Sequence, residues 1–261
     1  MVSIPVLLAV ITITFFMVHS APGGPFDFDR VVSPEVMEKL NEKYNLDAPL
    51  YKQYLDYIGN VIQGDFGPSF RYPGRTVTEM IAIGLPVTFE LAIYSILFAT
   101  FIGITFGSLA ALKQNTLLDY IPMSVSMAGI CIPSIVLGPI LSLVFGIWMG
   151  WLPVSGWGTY PGDKLLPVIT LGTAYAAYCA RLSRGGMLEV LGQDFIRTAR
   201  SKGLSEFRVV VFHALRGGLI PVVSFLGPAI AGLLAGSFVV ETIFGIPGLG
   251  RFYVQAAFNR D

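Results

Sequence analysis

From Gly217 to Val240 the chain carries no charged residue, and residues 2–18, 86–112, 117–150 and 165–179 are nearly as apolar. A run of that kind is long enough, or is the start of a run long enough, to cross a hydrocarbon layer about 30 Å thick as a helix. Inside such a layer no water is available to the peptide groups, so the backbone must satisfy its own hydrogen bonds. Of the 261 residues 54% are hydrophobic and only 13% are charged, with a mean hydropathy of +0.68. A water-soluble core does not need that much apolar surface, so the chain reads as an all-α, polytopic membrane helical bundle with five spans.

The charges divide the chain by side. Residues 21–85 hold six Lys/Arg against nine Asp/Glu, whereas residues 181–216 hold seven against three. The positive-inside rule places the second segment in the cytoplasm and the first outside. Three parts follow: a first transmembrane helix in 1–20, an external loop in 21–85, and a membrane core in 86–261 containing the cytoplasmic loop 181–216. The first run lacks a basic n-region and exceeds a usual signal-peptide core, so a retained helix is favoured over a cleaved leader. The absence of basic residues before it suggests that the natural N-terminus lies further upstream. Within 21–85, Ser33 can cap a helix with Pro34 at its first position, and two short amphipathic helices are expected, interrupted near Pro49.

Pro86 is taken as the start of the second span, which places Glu90 close to its end. An acid there either snorkels to the interface or faces a wet cavity, and it is kept as a candidate interface or cavity residue. The run 117–150 is too long for one straight span, and Pro122, Pro133 and Pro139 can kink it. Trp148 and Trp151 bracket its outer end as an aromatic belt would. The span beginning at Leu165 is expected to continue as helix into the cytoplasm through Arg181, Arg184 and Leu191. In the fifth span Gly227, Ala231 and Ala235 recur at four-residue spacing, a stripe that permits close helix approach within the chain or against a partner.

Between the last two spans lies DFIRTARSKGLSEFRVVVFHALRGGLIP, residues 194–221. Asp194 can cap a short helix. Phe195 to Lys202 would follow, with Arg197, Arg200 and Lys202 gathered toward the negative end of the dipole. Gly203 supplies the left-handed residue that ends it. Ser205 can then cap a second helix with Leu204, Phe207, Val211, Ala214 and Leu215 near one face. On composition alone this is a basic loop of the kind any polytopic protein has.

The spacing Ala199-x3-Gly203, followed by His213-Ala214-Leu215 and Pro221, resembles the cytoplasmic signature loop of type I ABC importer permeases. The run RTARSKGL resembles the version found in their peptide/nickel subgroup, although Arg197 and Thr198 stand where the general pattern has Glu-Ala. APG after the first span, GDFGPSF, AALKQNT and ETIFGIPGLG extend the likeness to oligopeptide and dipeptide permeases over nearly the whole chain. The resemblance implies that Asp194, Phe195, Arg197, Thr198, Ala199, Arg200, Lys202, Gly203 and Leu204 form a coupling helix that docks on a separate ATPase. It also places Glu241, Phe244, Pro247, Gly248 and Gly250 at the outer end of the fifth span, as candidates for the pathway or its gate. Implied partners are a homologous second permease subunit, two ATP-binding subunits and an external solute-binding protein, besides membrane lipid; nucleic acid is not among them. ATP and Mg would be held by the partner subunits, with no cofactor in this chain. The implied function is import of oligopeptides by alternating access; dipeptide, opine or nickel transport are alternatives. Permeases of this family usually have six spans, so a further span is expected beyond Asp261.

Other classes find less support. No phosphate loop, zinc-binding pair or nucleophile–base constellation occurs, so neither an enzyme nor a metal site is expected. Cys131 and Cys179 lie in apolar runs and suggest no disulfide. An ion-driven secondary transporter would call for acids near mid-membrane, whereas Glu90 and Glu241 are read near span ends. The charge distribution makes one direct prediction. An impermeant thiol reagent applied to intact cells should modify a cysteine placed at Asn60 and spare one at Ser201; the opposite pattern would invert the topology.

Overall fold

The computed structural model describes residues 3–20, 48–69, 72 and 74–259. Among these residues there is no strand beyond an isolated antiparallel bridge between Pro68 and Thr76. Four helices are long and apolar enough to cross a membrane, or five if a bent pair counts as one crossing. The chain divides into two compact units, residues 1–83 with 252–261, and residues 84–251.

In the first unit, α1 (Ser3–Ser20) meets α2 (Leu50–Ile62), which begins directly after Pro49. Phe15 is buried between the rings of His19, Tyr54 and Tyr57. Thr12 Oγ1 lies 2.7 Å from the Tyr54 hydroxyl. The first of the two expected amphipathic helices, and Ser33 with it, lie outside the described residues. Gly64, Gly67 and Gly74 turn the following chain at positive φ. Thr76 and Glu79 then form a reciprocal capping box, each side chain accepting the other's backbone N–H at 3.2 Å.

That box starts α3, which runs from Val77 to Leu112. The expected start at Pro86 was therefore nine residues late. Pro86 sits inside the helix, where it removes one ladder bond but does not end a helix that is capped nearly three turns earlier. In the second unit α4 (Leu117–Cys131) and α5 (Ser134–Leu141), continued by a π-helical segment Ser142–Trp148, are bent by 109° at their junction. Of the three prolines only Pro133 lies at the break; Pro122 and Pro139 lie inside helices. Next comes α6 (Leu165–Leu191), continuous from its apolar start through Arg181 and Arg184 as expected. The connection between α6 and the last long helix holds α7 (Asp194–Ser201), α8 (Glu206–Arg208), a π-helical turn Val209–Ala214 and α9 (Leu215–Gly218). Helices α10 (Ile220–Phe244) and α11 (Leu249–Asn259) complete the described chain.

The core of the second unit forms where α3, α6 and α10 meet. Leu91, Ala92 and Ile96 pack with Leu166, Val168 and Leu171, and with Ala229, Leu233, Val240 and Phe244. Helices α3 and α6 approach backbone to backbone. A Cβ on Gly103 would lie 2.4 Å from that of Cys179, and one on Gly107 would lie 2.3 Å from the Ala180 carbonyl oxygen. One on Gly172 would lie 2.9 Å from the Ser95 carbonyl oxygen. This is the close contact that a G-x3-G spacing permits. The stripe singled out in the sequence behaves differently, since Gly227, Ala231 and Ala235 are all exposed.

These two glycine settings predict opposite outcomes. Gly107→Ala forces a methyl into backbone and should cost about 1–3 kcal/mol, as overpacking does. Gly227→Ala meets no atom within 4 Å and should leave the thermal midpoint of the detergent-solubilised subunit unchanged or slightly raised. Equal behaviour of the two variants would contradict the α3–α6 contact.

Candidate functional site

The loop that carries the basic signature is built on the end of α6. Helix α6 stops at Gly192, Gln193 turns extended, and α7 begins with Asp194 as its first residue. Asp194 is therefore not the cap expected from the sequence. Gln193 holds that position, without a side-chain bond, while the Asp194 carboxylate is 96% exposed and lies 3.5 Å from Arg197. Its place in the first turn still suits the helix dipole.

Helix α7 has two faces. Ile196 and Ala199, three residues apart, are buried against Ala111 of α3, Met187 of α6, and Val209 and Ala214 of the π-helical turn. Phe195, Arg197, Thr198, Arg200 and Lys202 are exposed. The helix closes at Gly203, whose φ of +76° is the left-handed conformation read from the sequence. The Leu204 N–H reaches back to the Ala199 carbonyl and the Gly203 N–H to that of Arg200, a Schellman arrangement. Leu204 itself is partly buried in the same cluster.

Beyond the turn, Ser205 stands at the N-cap of α8 in extended conformation, but its side chain makes no cap bond. The short exit is held instead by Arg200, which donates Nε and Nη2 hydrogens to the two Glu206 carboxylate oxygens at 2.8 and 3.2 Å. The guanidinium keeps the Glu206 carboxyl below its ordinary pKa. Of the face expected for this segment, Ala214 is buried and Leu204 and Leu215 pack against the same cluster, but Phe207 is exposed and Val209 is buried in its stead. The stretch Val209–Ala214 winds as a wider π-helix. Helix α9 then returns against α6, where a Cβ on Gly186 would lie 2.2 Å from the Gly218 carbonyl oxygen.

At the opposite end of α10, Gly245 (φ +64°) ends the helix. Glu241 is fully buried. Its Oε1 accepts the Thr88 and Ser237 hydroxyls at 2.7 and 2.8 Å. Its Oε2 accepts the backbone N–H groups of Gly250 at 2.7 Å and Arg251 at 3.3 Å. Thr88 in turn accepts the Leu249 N–H at 2.8 Å. Gly248 is small because a Cβ there would lie 2.4 Å from Oε2, and one on Gly250 would lie 2.5 Å from the Phe238 Cα. Phe244 and Ile246 are buried beneath this knot, whereas Pro247 is exposed. The sequence drew attention to Glu241 and its glycines but missed Ser237, which i,i+4 helical spacing could have supplied, and Thr88, which no spacing connects to them.

Glu90 lies thirteen residues inside α3, and not near its end. Its carboxylate is paired with Lys164 at 2.6 Å and accepts the Trp157 indole N–H at 2.9 Å. The ammonium also sits over the Trp157 and Tyr94 rings, 4.9 and 5.6 Å from their centroids. Among the described residues no group of His, Cys, Asp and Glu is arranged to hold a metal ion.

This arrangement has relatives. The sequence profile of the family described as "Binding-protein-dependent transport system inner membrane component" matches residues 103–261. The chain belongs to that family. It is 48% identical to the oligopeptide transport system permease protein OppB of Haemophilus influenzae, over 99% of this chain and 85% of that protein. It is 46% identical to OppB of Salmonella typhimurium over the same shares. The dipeptide transport system permease protein DppB of Bacillus subtilis is 42% identical over 98% of this chain and 82% of that one. Among solved structures, an amino acid ABC transporter crystallised with histidines aligns over 70% of this chain and 81% of that one, with a TM-score of 0.50 at 19% identity. The chain is thus a multi-pass inner-membrane permease subunit of an ABC importer, with the type I permease fold. Its family is one of transport permeases and not of catalytic subunits.

The knot around Glu241 makes a testable demand. Glu241→Gln can keep an oxygen on the two backbone N–H donors only by turning its NH2 to the Thr88 and Ser237 hydroxyls. Those hydroxyls must then accept and lose the acceptor for their own hydrogens, at about 1–3 kcal/mol for each hydrogen left unpaired. The detergent-solubilised variant should melt well below the parent, and Thr88→Ser, which keeps the hydroxyl, should not. A Glu241→Gln subunit as stable as the parent would remove the knot's structural role.

Proposed function

We propose that this chain forms part of the membrane path for short peptides, and that α7 is where a partner ATPase subunit docks. The substrate reading draws on the relatives, whose names refer to oligopeptide and dipeptide transport. The docking reading is carried by the two-faced character of α7. Its inner face, Ile196 and Ala199, is held by the cytoplasmic ends of α3 and α6, and its outer face presents Phe195 among Arg197, Thr198, Arg200 and Lys202. A partner that grips the outer face therefore pulls directly on two long helices.

On this reading the complete importer contains a homologous second permease subunit, two ATP-binding subunits and an external solute-binding protein. ATP and Mg are bound by the ATPases, and this chain performs no hydrolysis. Closure of the ATPases moves α7 together with its counterpart, and the helices attached to it tilt to open the path outward. Phe244, Pro247, Gly248 and Gly250, beside the buried Glu241 that accepts the Gly250 N–H, form a shoulder at the outer end whose placement suits a gate.

Gly203 offers the test. A β-branched residue at positive φ costs on the order of 1–2 kcal/mol. That is small beside the packing of the long helices, and large for a two-turn helix whose pose transmits force. Gly203→Val should reach the membrane at near-normal level and hydrolyse ATP without importing peptide, or lose its ATPase partners. Gly203→Asn should be milder, since Asn enters the left-handed region more readily. Uptake and ATPase activity of the reconstituted complex measure both; equal, near-native transport by the two variants would overturn the docking assignment.

A further inference from the structure

One buried ion pair is used by nothing described above. Asp119, in the first turn of α4, is 2% exposed, and both of its oxygens are taken by Arg184 of α6. Arg184 Nε donates to Oδ1 at 2.6 Å and Nη2 donates to Oδ2 at 2.8 Å, a bidentate fork. Oδ2 also accepts the backbone N–H of Asn115 at 3.0 Å. Asn115 is held at φ +61°, the one non-glycine residue with positive φ among the described residues. The carboxylate therefore fastens the turn between α3 and α4, and the start of α4, to a single point on α6.

That point is well placed. Arg184 is followed at once by the residues that grip the cytoplasmic loop, Gly186 against Gly218 and Met187 against Ile196 and Ala199. Ser183, one residue earlier, is buried with its hydroxyl 3.3 Å from that of Ser108 on α3. Over five consecutive residues, 183–187, α6 is thus joined to α3, to α4, to α9 and to α7. The joint to α3 is close packing of small residues, and the joints to α7 and α9 are apolar or backbone contacts. The joint to α4 alone is a charged fork. α4 also packs along α6 beyond the fork, with Gly129 against Thr173 and Ala177 about three turns away, but those contacts are apolar and fix no direction. A fork fixes direction as well as distance, so it transmits rotation of α6 to α4, which a greasy contact lets slip.

We infer that Asp119 and Arg184 are a positioning pair that makes the bent third crossing, α4 and α5, move as one with α6 when the cytoplasmic loop is displaced. The inference rests on the docking reading of α7. Without the pair, α7 and α6 still move, α4 lags, and ATP is spent without passage of substrate.

The experiment uses the complete complex, purified with its own ATPase and binding-protein partners and reconstituted in liposomes, with radiolabelled trialanine as probe. Three quantities are read: the amount of subunit in the membrane, the ATPase subunits that co-purify, and the ATP hydrolysed per peptide imported. Asp119→Asn and Arg184→Gln should keep their ATPase partners and raise the ATP consumed per peptide by about tenfold. Arg184→Lys, which keeps the charge and loses the fork, should fall between these variants and the parent. The inference is overturned if the ratio stays within about twofold of the parent for both variants. It is equally overturned if subunit, hydrolysis and transport fall in proportion at an unchanged ratio, which is what a purely structural pair would give. Failure of the docking reading looks different: Phe195→Asp, on the exposed face of α7, would then retain its ATPase subunits in full.

Discussion

Two helix backbones in contact, α3 against α6, set the terms for the rest of the second unit. Lipid is as apolar as the side chains it surrounds, so there is little hydrophobic drive for one spanning helix to leave lipid for another. Close approach supplies the attraction instead, through many small dispersion contacts that a larger residue would hold apart. Gly172, Gly103 and Gly107 allow that approach at successive levels. The pair they join is long. From Thr88 in the Glu241 knot to Ala111 under α7, α3 advances twenty-three positions, or about 35 Å at 1.5 Å per residue. A stiff pair of that length carries the Glu241 knot at one end and the loop holding α7 at the other. A force applied to one end is thereby felt at the other without any relay of small side-chain changes.

What could be read from the sequence was what local chemistry decides. The helix from Leu165 through Leu191 was legible because its apolar face continues into basic residues without a breaker. Gly203 was legible because a short helix followed by glycine has few other ways to end. The break at Pro133 was legible, but not its uniqueness among three prolines, since a proline inside a helix costs a bond whose loss the neighbours can absorb. Pro86 misled for the same reason, even though Thr76 and Glu79 spelled out a capping box upstream. Phe207 was placed by helical spacing on the buried face with Leu204, Ala214 and Leu215, yet it is exposed and Val209 is buried in its stead. The partners of the acids were not legible at all. Glu241 and Thr88 are 153 residues apart, Glu90 and Lys164 are 74 apart, and Asp119 and Arg184 are 65 apart. Only folding brings them together.

Those acids share a pattern that bears on why they are kept. Glu241, Glu90 and Asp119 each join α3 or α6 to another element of the second unit through directed donors; Glu241 and Asp119 are buried, and Glu90 is partly exposed. Buried charge is weak evidence for stability, because apolar side chains of similar volume often serve as well or better. Direction is what apolar side chains cannot supply. A helix that is greasy on every side has many rotations of nearly equal energy against its neighbours, and α10 and α3 are of that kind over most of their length. A carboxylate with four fixed donors, or a two-pronged guanidinium, is satisfied at one rotation and left unpaired at the others. Losing such a bond inside the protein costs more than making it gains. The few polar groups of this chain therefore choose among packings that the apolar majority would leave close in energy. They do so where α3 and α6 meet the elements packed against them.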